Sequence, residues 1–201
     1  MATLSYPIVE HFYTLQGEGY WAGTPAYFVR LGGCDVGCTW CDTRYSWKKD
    51  GWALAVPDEI VSWIKQTPAR HVVLTGGEPT MHPLVPLIQT LQKQGFFVQI
   101  ETSGAYPPPA VLPDWITFSP KRFKPPHSAW YAAASELKVV IHARSDFSWA
   151  EKQYDLCRRG IPAFLQPDFY QAQALPWILE YVRQHPHWRL SLQWHRYLAI
   201  P

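Results

Sequence analysis

The chain has 201 residues, nearly half of them hydrophobic, and a formal net charge of +2. That length and composition point to one globular domain over residues 1–201 with a real core. The near-neutral charge, with no Lys/Arg run longer than a pair, gives no reason to expect nucleic acid. No run of 18 apolar residues is present, so no membrane span is expected. The opening "MATLSYPIVEHF" lacks the basic-then-apolar order of a secretory leader, so a cytoplasmic location with reduced thiols is expected.

Strand and helix patterns alternate along the chain. A strand is predicted over 26–31 ("AYFVRL"), then a helix that starts with Pro57 in its first turn and places Asp58 and Glu59 at the positive end of its dipole. Strand 71–75 ("HVVLT") leads to a helix with Leu84, Leu87, Ile88 and Leu91 on one face, closed by Gly95. Strands 96–102 and 115–119 follow, and residues 103–135 are too proline-rich for a regular crossover helix. After strand 136–142, Ser148 and Glu151 have capping-box spacing for a helix ending near Gly160. Strand 163–166, a helix presenting Leu175, Ile178, Leu179 and Val182, and strand 188–193 complete the series. The alternation predicts an α/β fold with a parallel sheet. A complete eight-unit barrel takes ~250 residues, so roughly six or seven strands imply an incomplete, open TIM-type barrel with its reactive groups at the C-terminal strand ends.

The stretch "GGCDVGCTWCDT" (32–43) crowds Cys34, Cys38 and Cys41 into one loop at such a strand end. Zinc is one reading, but it normally takes four ligands, and no histidine or cysteine follows Cys41 at the usual spacing. Cys157 falls in an amphipathic helix, where a buried thiol needs no partner. Three thiolates with a vacant fourth position suit a [4Fe–4S] cluster that keeps one iron open to a small molecule. "TGGEP" (75–79) ends the next strand; its glycines permit close approach of a ligand and Glu78 is an acceptor, although alone it reads equally well as a turn.

The C-x3-C-x2-C spacing resembles the radical S-adenosylmethionine (SAM) superfamily. "TLQGEG" (14–19), "RLGGCDVGCTWCDT" (30–43), "TFSPK" (117–121) and the terminal "LQWHRYLAIP" resemble the 7-carboxy-7-deazaguanine synthase family, across nearly the whole chain. The likeness is weakest at 44–70 and 122–135, which receive no role. It implies a lyase of queuosine and 7-deazapurine biosynthesis that converts 6-carboxy-5,6,7,8-tetrahydropterin to 7-carboxy-7-deazaguanine with loss of ammonia. SAM is then expected on the open iron. The resemblance places SAM against Trp40, Asp42, Gly77, Glu78, Ser119, Pro120, Lys121, Gln166 and Pro167. It places the pterin against Leu15, Gln16, Gly17, Arg30, Thr75, Glu101, His195 and the terminal carboxylate of Pro201. Mg2+ is implied on Thr43, with waters and substrate oxygens completing its shell. A reducing partner such as flavodoxin or ferredoxin and a homodimer are implied as well.

Blander readings stand beside these. Arg30 fits a structural ion pair, Lys121 a solvated charge in "KRFK", and His195 a satisfied structural histidine. For the whole chain the rivals are a radical SAM activating enzyme acting on a partner protein, and a non-enzymatic zinc-binding module.

Overall fold

A computed structural model describes residues 4–201; residues 1–3, where the stretch read for a leader begins, lie outside it. The described strands are β1 (Tyr6–Leu15), β2 (Pro25–Leu31), β3 (Ala53–Ala55), β4 (His71–Gly76) and β5 (Phe97–Thr102), then β6 (Trp115–Phe118), β7 (Glu136–Ile141), β8 (Ala163–Pro167) and β9 (Trp188–Leu190). They form one nine-stranded sheet in the order β3-β1-β2-β4-β5-β6-β7-β8-β9. From β2 to β9 every pairing is parallel, and β1 and β3 add an antiparallel edge. The sheet does not close, so the expected open partial barrel is what forms. All seven expected strands appear in its parallel part.

The helices are α1 (Pro57–Ile64), α2 (Val85–Lys93), α3 (Ala129–Ala133), α4 (Asp146–Leu156), α5 (Ala174–Gln184) and α6 (Trp194–Leu198). The apolar stripes of α1 and α2 meet the outer face of the sheet. Ile60, Val61 and Ile64 of α1 and Leu87, Ile88 and Leu91 of α2 are buried against Val72, Leu74, Val98 and Ile100. Glu59 accepts a hydrogen bond from the Val56 N–H at 2.9 Å, which satisfies an orphan donor at the α1 start.

Two local expectations fail for identifiable reasons. Ser148 does not cap α4: that helix begins two residues earlier, because the Asp146 carboxylate accepts the N–H groups of His142 and Ala143, each at 2.8 Å. In α5, Leu179 lies 47% exposed; Ala174 and Ile178 are buried, with Trp177, Tyr181 and Val182 packed beside them. Strands β1 and β3 were not anticipated, since β1 alternates half-buried polar and apolar residues at a sheet edge. The cysteine loop therefore follows the second strand of the chain, still at the C-terminal end of a parallel one.

The β1–β2 turn lies at the opposite end, below the N-terminal strand ends. There Trp21 packs edge-on against His71, Phe97 and Trp115, the first residues of β4, β5 and β6. The turn thus plugs the bottom of the partial barrel and leaves its lumen open at the top.

Candidate active site

Alternation along the strands decides what the lumen contains. Val98, Ile100, Leu137 and Val139 face the helices, whereas Gln99, Glu101, Thr117, Glu136 and Lys138 face inward. A cavity of about 610 Å³ opens above them. Every residue assigned from the sequence to cluster, SAM, magnesium or pterin lines it, except Pro120.

The cysteine loop forms one wall. Its backbone is gripped from both sides: Gly77 N–H donates to Leu31 C=O, Glu78 N–H to Gly33 C=O, Gly33 N–H to Ser46 C=O and Cys34 N–H to Trp47 C=O. A Cβ on Gly77 would sit 2.3 Å from the Gly33 carbonyl oxygen and 2.7 Å from Cys34 Cβ, so only glycine permits this approach. The Trp47 indole N–H donates to Cys41 Sγ at 3.3 Å, and the Thr43 hydroxyl lies 3.6 Å from the same sulfur. Burial pushes the Cys34 thiol up and that of Cys38 to about 11, the latter against the pull of Lys121. Cys157, in contrast, sits in the core beyond the C-terminus of α4, and burial alone pushes it to about 12.

The Glu78 carboxylate takes hydrogen bonds from Thr80 N–H and hydroxyl, the Thr102 hydroxyl, and Ser103 N–H and hydroxyl. The side chain thereby braces β4 to β5 while it lines the cavity. Lys121 is not a solvated charge: it bonds the Ser119 carbonyl at 2.7 Å, faces the Trp40 ring, and burial depresses its pKa. Gln166 accepts from Ser191 Oγ at 2.9 Å.

On the opposite side, Arg30 Nε pairs with Glu10 at 2.6 Å, and Tyr45 OH donates to the same oxygen at 2.8 Å. The structural ion pair is therefore real, yet it engages only Nε and leaves the terminal nitrogens of the fork for a ligand. His195 packs over Gly17, where a Cβ would lie 2.8 Å from its Nδ1, and burial lowers its pKa. Ala199 adopts φ 52°, turning Ile200 and Pro201 to the cavity rim.

The floor holds a buried ionic array that sequence reasoning missed. Lys138 Nζ contacts Glu18 Oε2 at 2.5 Å and Glu101 Oε2 at 2.8 Å. Burial favours neutral Glu18, but Lys138 and Gln193 outweigh it and hold that carboxyl at about 2. Burial and the Glu18 charge push Glu101 up despite Lys138. Gln193 also donates to Asp42 at 2.8 Å, and Arg196 pairs with the same oxygen at 3.4 Å, tying the cysteine loop to the chain terminus. A lysine inside "ELKVVI" and the glutamate of "QGEG" were the available signals.

Comparison with known proteins gives the family. Residues 28–122 match the model of the Radical SAM superfamily. A 7-carboxy-7-deazaguanine synthase of Synechocystis sp. is 46% identical, covering 100% of this chain and 96% of that protein. One from Flavobacterium psychrophilum is 44% identical over 97% of this chain and 92% of its own length. The crystal structure of QueE from Escherichia coli superposes with a TM-score of 0.86 at 36% identity, covering 95% of both chains. The chain belongs to the 7-carboxy-7-deazaguanine synthase family. It is a radical SAM enzyme, and the family implies a [4Fe–4S] cluster and SAM. The residues fit both: three thiols share one wall of a roomy cavity, beside a glycine pair whose missing side chains leave the loop its path. These relatives favour this reading over a zinc-binding module or an activating enzyme.

Proposed function

We propose that this enzyme converts 6-carboxy-5,6,7,8-tetrahydropterin to 7-carboxy-7-deazaguanine and ammonia, in queuosine or 7-deazapurine biosynthesis. The observation that carries this is the convergence of the cysteine trio, the Arg30 fork and the Glu101 floor on one cavity. Cys34, Cys38 and Cys41 would hold the cluster through thiolates, and loading it would release the protons that burial otherwise retains. The loaded cluster with SAM supplies a carbon radical able to remove a hydrogen atom. The lining of Trp40, Asp42, Gly77, Ser119, Lys121, Gln166 and Pro167 holds SAM, with Glu78 bracing that wall and Pro120 setting the turn before Lys121. Arg30 takes the substrate carboxylate end-on, since Glu10 fixes its Nε. Gln16, Glu101 and His195 address the pterin ring, with Leu15, Gly17, Thr75 and Pro201 completing its walls. Held in this way, the substrate presents C6–H for abstraction. The same positioning would favour ring contraction and loss of ammonia, with the abstracted hydrogen atom returned by the group that took it.

Thr43 would offer one hydroxyl to Mg2+, whose remaining positions would suit waters and substrate oxygens. A reduced flavodoxin or ferredoxin supplies electrons, and the protein works in the cytoplasm as a homodimer. Among the described residues no helix is long and apolar enough to cross a membrane. The deciding experiment is anaerobic reconstitution followed by turnover of 6-carboxytetrahydropterin with SAM, Mg2+ and dithionite. Brown protein and deazaguanine product are expected. Brown protein that cleaves SAM without making this product would point to an activating enzyme, and colourless protein with bound zinc to a binding module.

A further inference from the structure

The acceptor capacity of Glu101 is nearly spent. Its Oε1 receives the amides of Gln16 at 3.2 Å and Gln99 at 3.1 Å, and its Oε2 receives Lys138 at 2.8 Å. A carboxylate oxygen accepts about two hydrogen bonds, so one position remains, on Oε2. Lys138 has the complementary surplus. Its ammonium carries three donors; Glu18 and Glu101 take two, and no third partner occurs among the described residues. The lysine side chain is 5% exposed and lines the cavity. The floor therefore presents one anionic acceptor and one cationic donor 2.8 Å apart, close enough to meet neighbouring atoms of a single planar edge.

We infer that Lys138 is a substrate-contact residue that donates to a ring carbonyl oxygen, while Glu101 Oε2 accepts the adjacent ring N–H. The ligand feature this pair recognises is a lactam edge, N–H beside C=O. The pterin of the reading above, on which this inference rests, carries such an edge at N3–H and O4. Glu18 is the positioning residue: it takes one donor of the ammonium in a second ion pair and so fixes where the remaining donor stands. A single bidentate contact of this kind orients the ring, and a buried charged donor left without its acceptor makes a poor fit costly.

The test is equilibrium dialysis of the reconstituted enzyme with SAM and no reductant, comparing the natural pterin with its 4-thioxo analogue. Sulfur keeps N3–H but accepts a hydrogen bond poorly. The wild type is expected to bind the thioxo compound about tenfold or more weakly. Lys138→Met alone leaves two buried carboxylates uncompensated and risks misfolding, so the informative variant is Glu18→Gln/Lys138→Met, which preserves net charge. In it the natural pterin is expected to bind about tenfold more weakly, the oxo/thioxo ratio to fall to within about threefold, and SAM affinity to stay unchanged. A double variant that keeps the wild-type ratio, or a wild type that turns over the pterin yet binds both compounds equally, overturns the role of Lys138 alone. A wild-type holoenzyme that neither binds nor turns over the pterin overturns the functional reading and this inference with it.

Discussion

Four thiols of one chemical type have two fates, set by where each sits. Cys34, Cys38 and Cys41 face a cavity; Cys157 is sealed among core side chains. Alanine at any one of the first three should abolish the brown chromophore and SAM cleavage. Cys157→Ala should retain both, as read by iron content and 5′-deoxyadenosine release; the reverse pattern would refute the ligand assignment. Glu136 shows burial acting on a carboxyl with the opposite outcome to Glu18. It is fully buried, bonded to Thr117 Oγ1 and Tyr20 N–H at 2.8 Å each, and burial with the Glu101 charge raises it to about 7. Between its unfolded value of 4.5 and about 7 the folded state keeps a proton that the unfolded chain loses. Its contribution to stability therefore falls as pH rises through that window, by about 3 kcal/mol in all. Glu136→Gln mimics the protonated acid, so urea unfolding at pH 8 should show a more stable protein, with little gain at pH 4.5.

At the scale of elements, the cluster loop is held by its neighbours rather than by its own conformation. The Gly76–Glu78 segment threads between the loop and β2, and the short turn of Arg44–Trp47 backs it from the other side. Gly77→Ala drives a methyl into the Gly33 carbonyl and Cys34, neither of which is the free end of a flexible chain. Iron incorporation in that variant should drop at least several-fold while circular dichroism stays close to wild type; full iron loading would show that the loop tolerates displacement. The segments without a sequence-level role also find one here. Tyr45 and Trp47 reach Glu10 and Cys41, and Lys124 pairs with Asp35 at 2.9 Å, next to Cys34.

At the scale of the molecule, an open barrel has to exclude water from below without a closing strand. The aromatic plug does this: Trp21 against His71, Phe97 and Trp115, with the Tyr20 ring tilted against Trp115 at 4.9 Å. Trp21→Ala should cost about 3 kcal/mol in urea unfolding and weaken pterin binding, because the turn that carries Trp21 also delivers Gln16 and Glu18 to the floor. Lost stability with unchanged pterin affinity would separate the plug from the floor.

Local pattern was enough to read the seven parallel strands, because buried strands carry continuous apolar runs, and to single out Cys34, Cys38 and Cys41, which the fold brings to one cavity. The helix faces of α1 and α2 were legible for the same reason. The edge strands and the start of α4 were not: half-exposed alternation is a weak signal, and the bonds from His142 and Ala143 to Asp146 that precede α4 form only in the folded backbone. What the tertiary structure alone decided is the floor. Glu18, Glu101, Lys138 and Gln193 come from four distant stretches and meet only when the β1–β2 turn folds under the sheet. Sequence spacing fixes which groups a loop can offer, but the distances between charges from separate strands exist only once the barrel has wound.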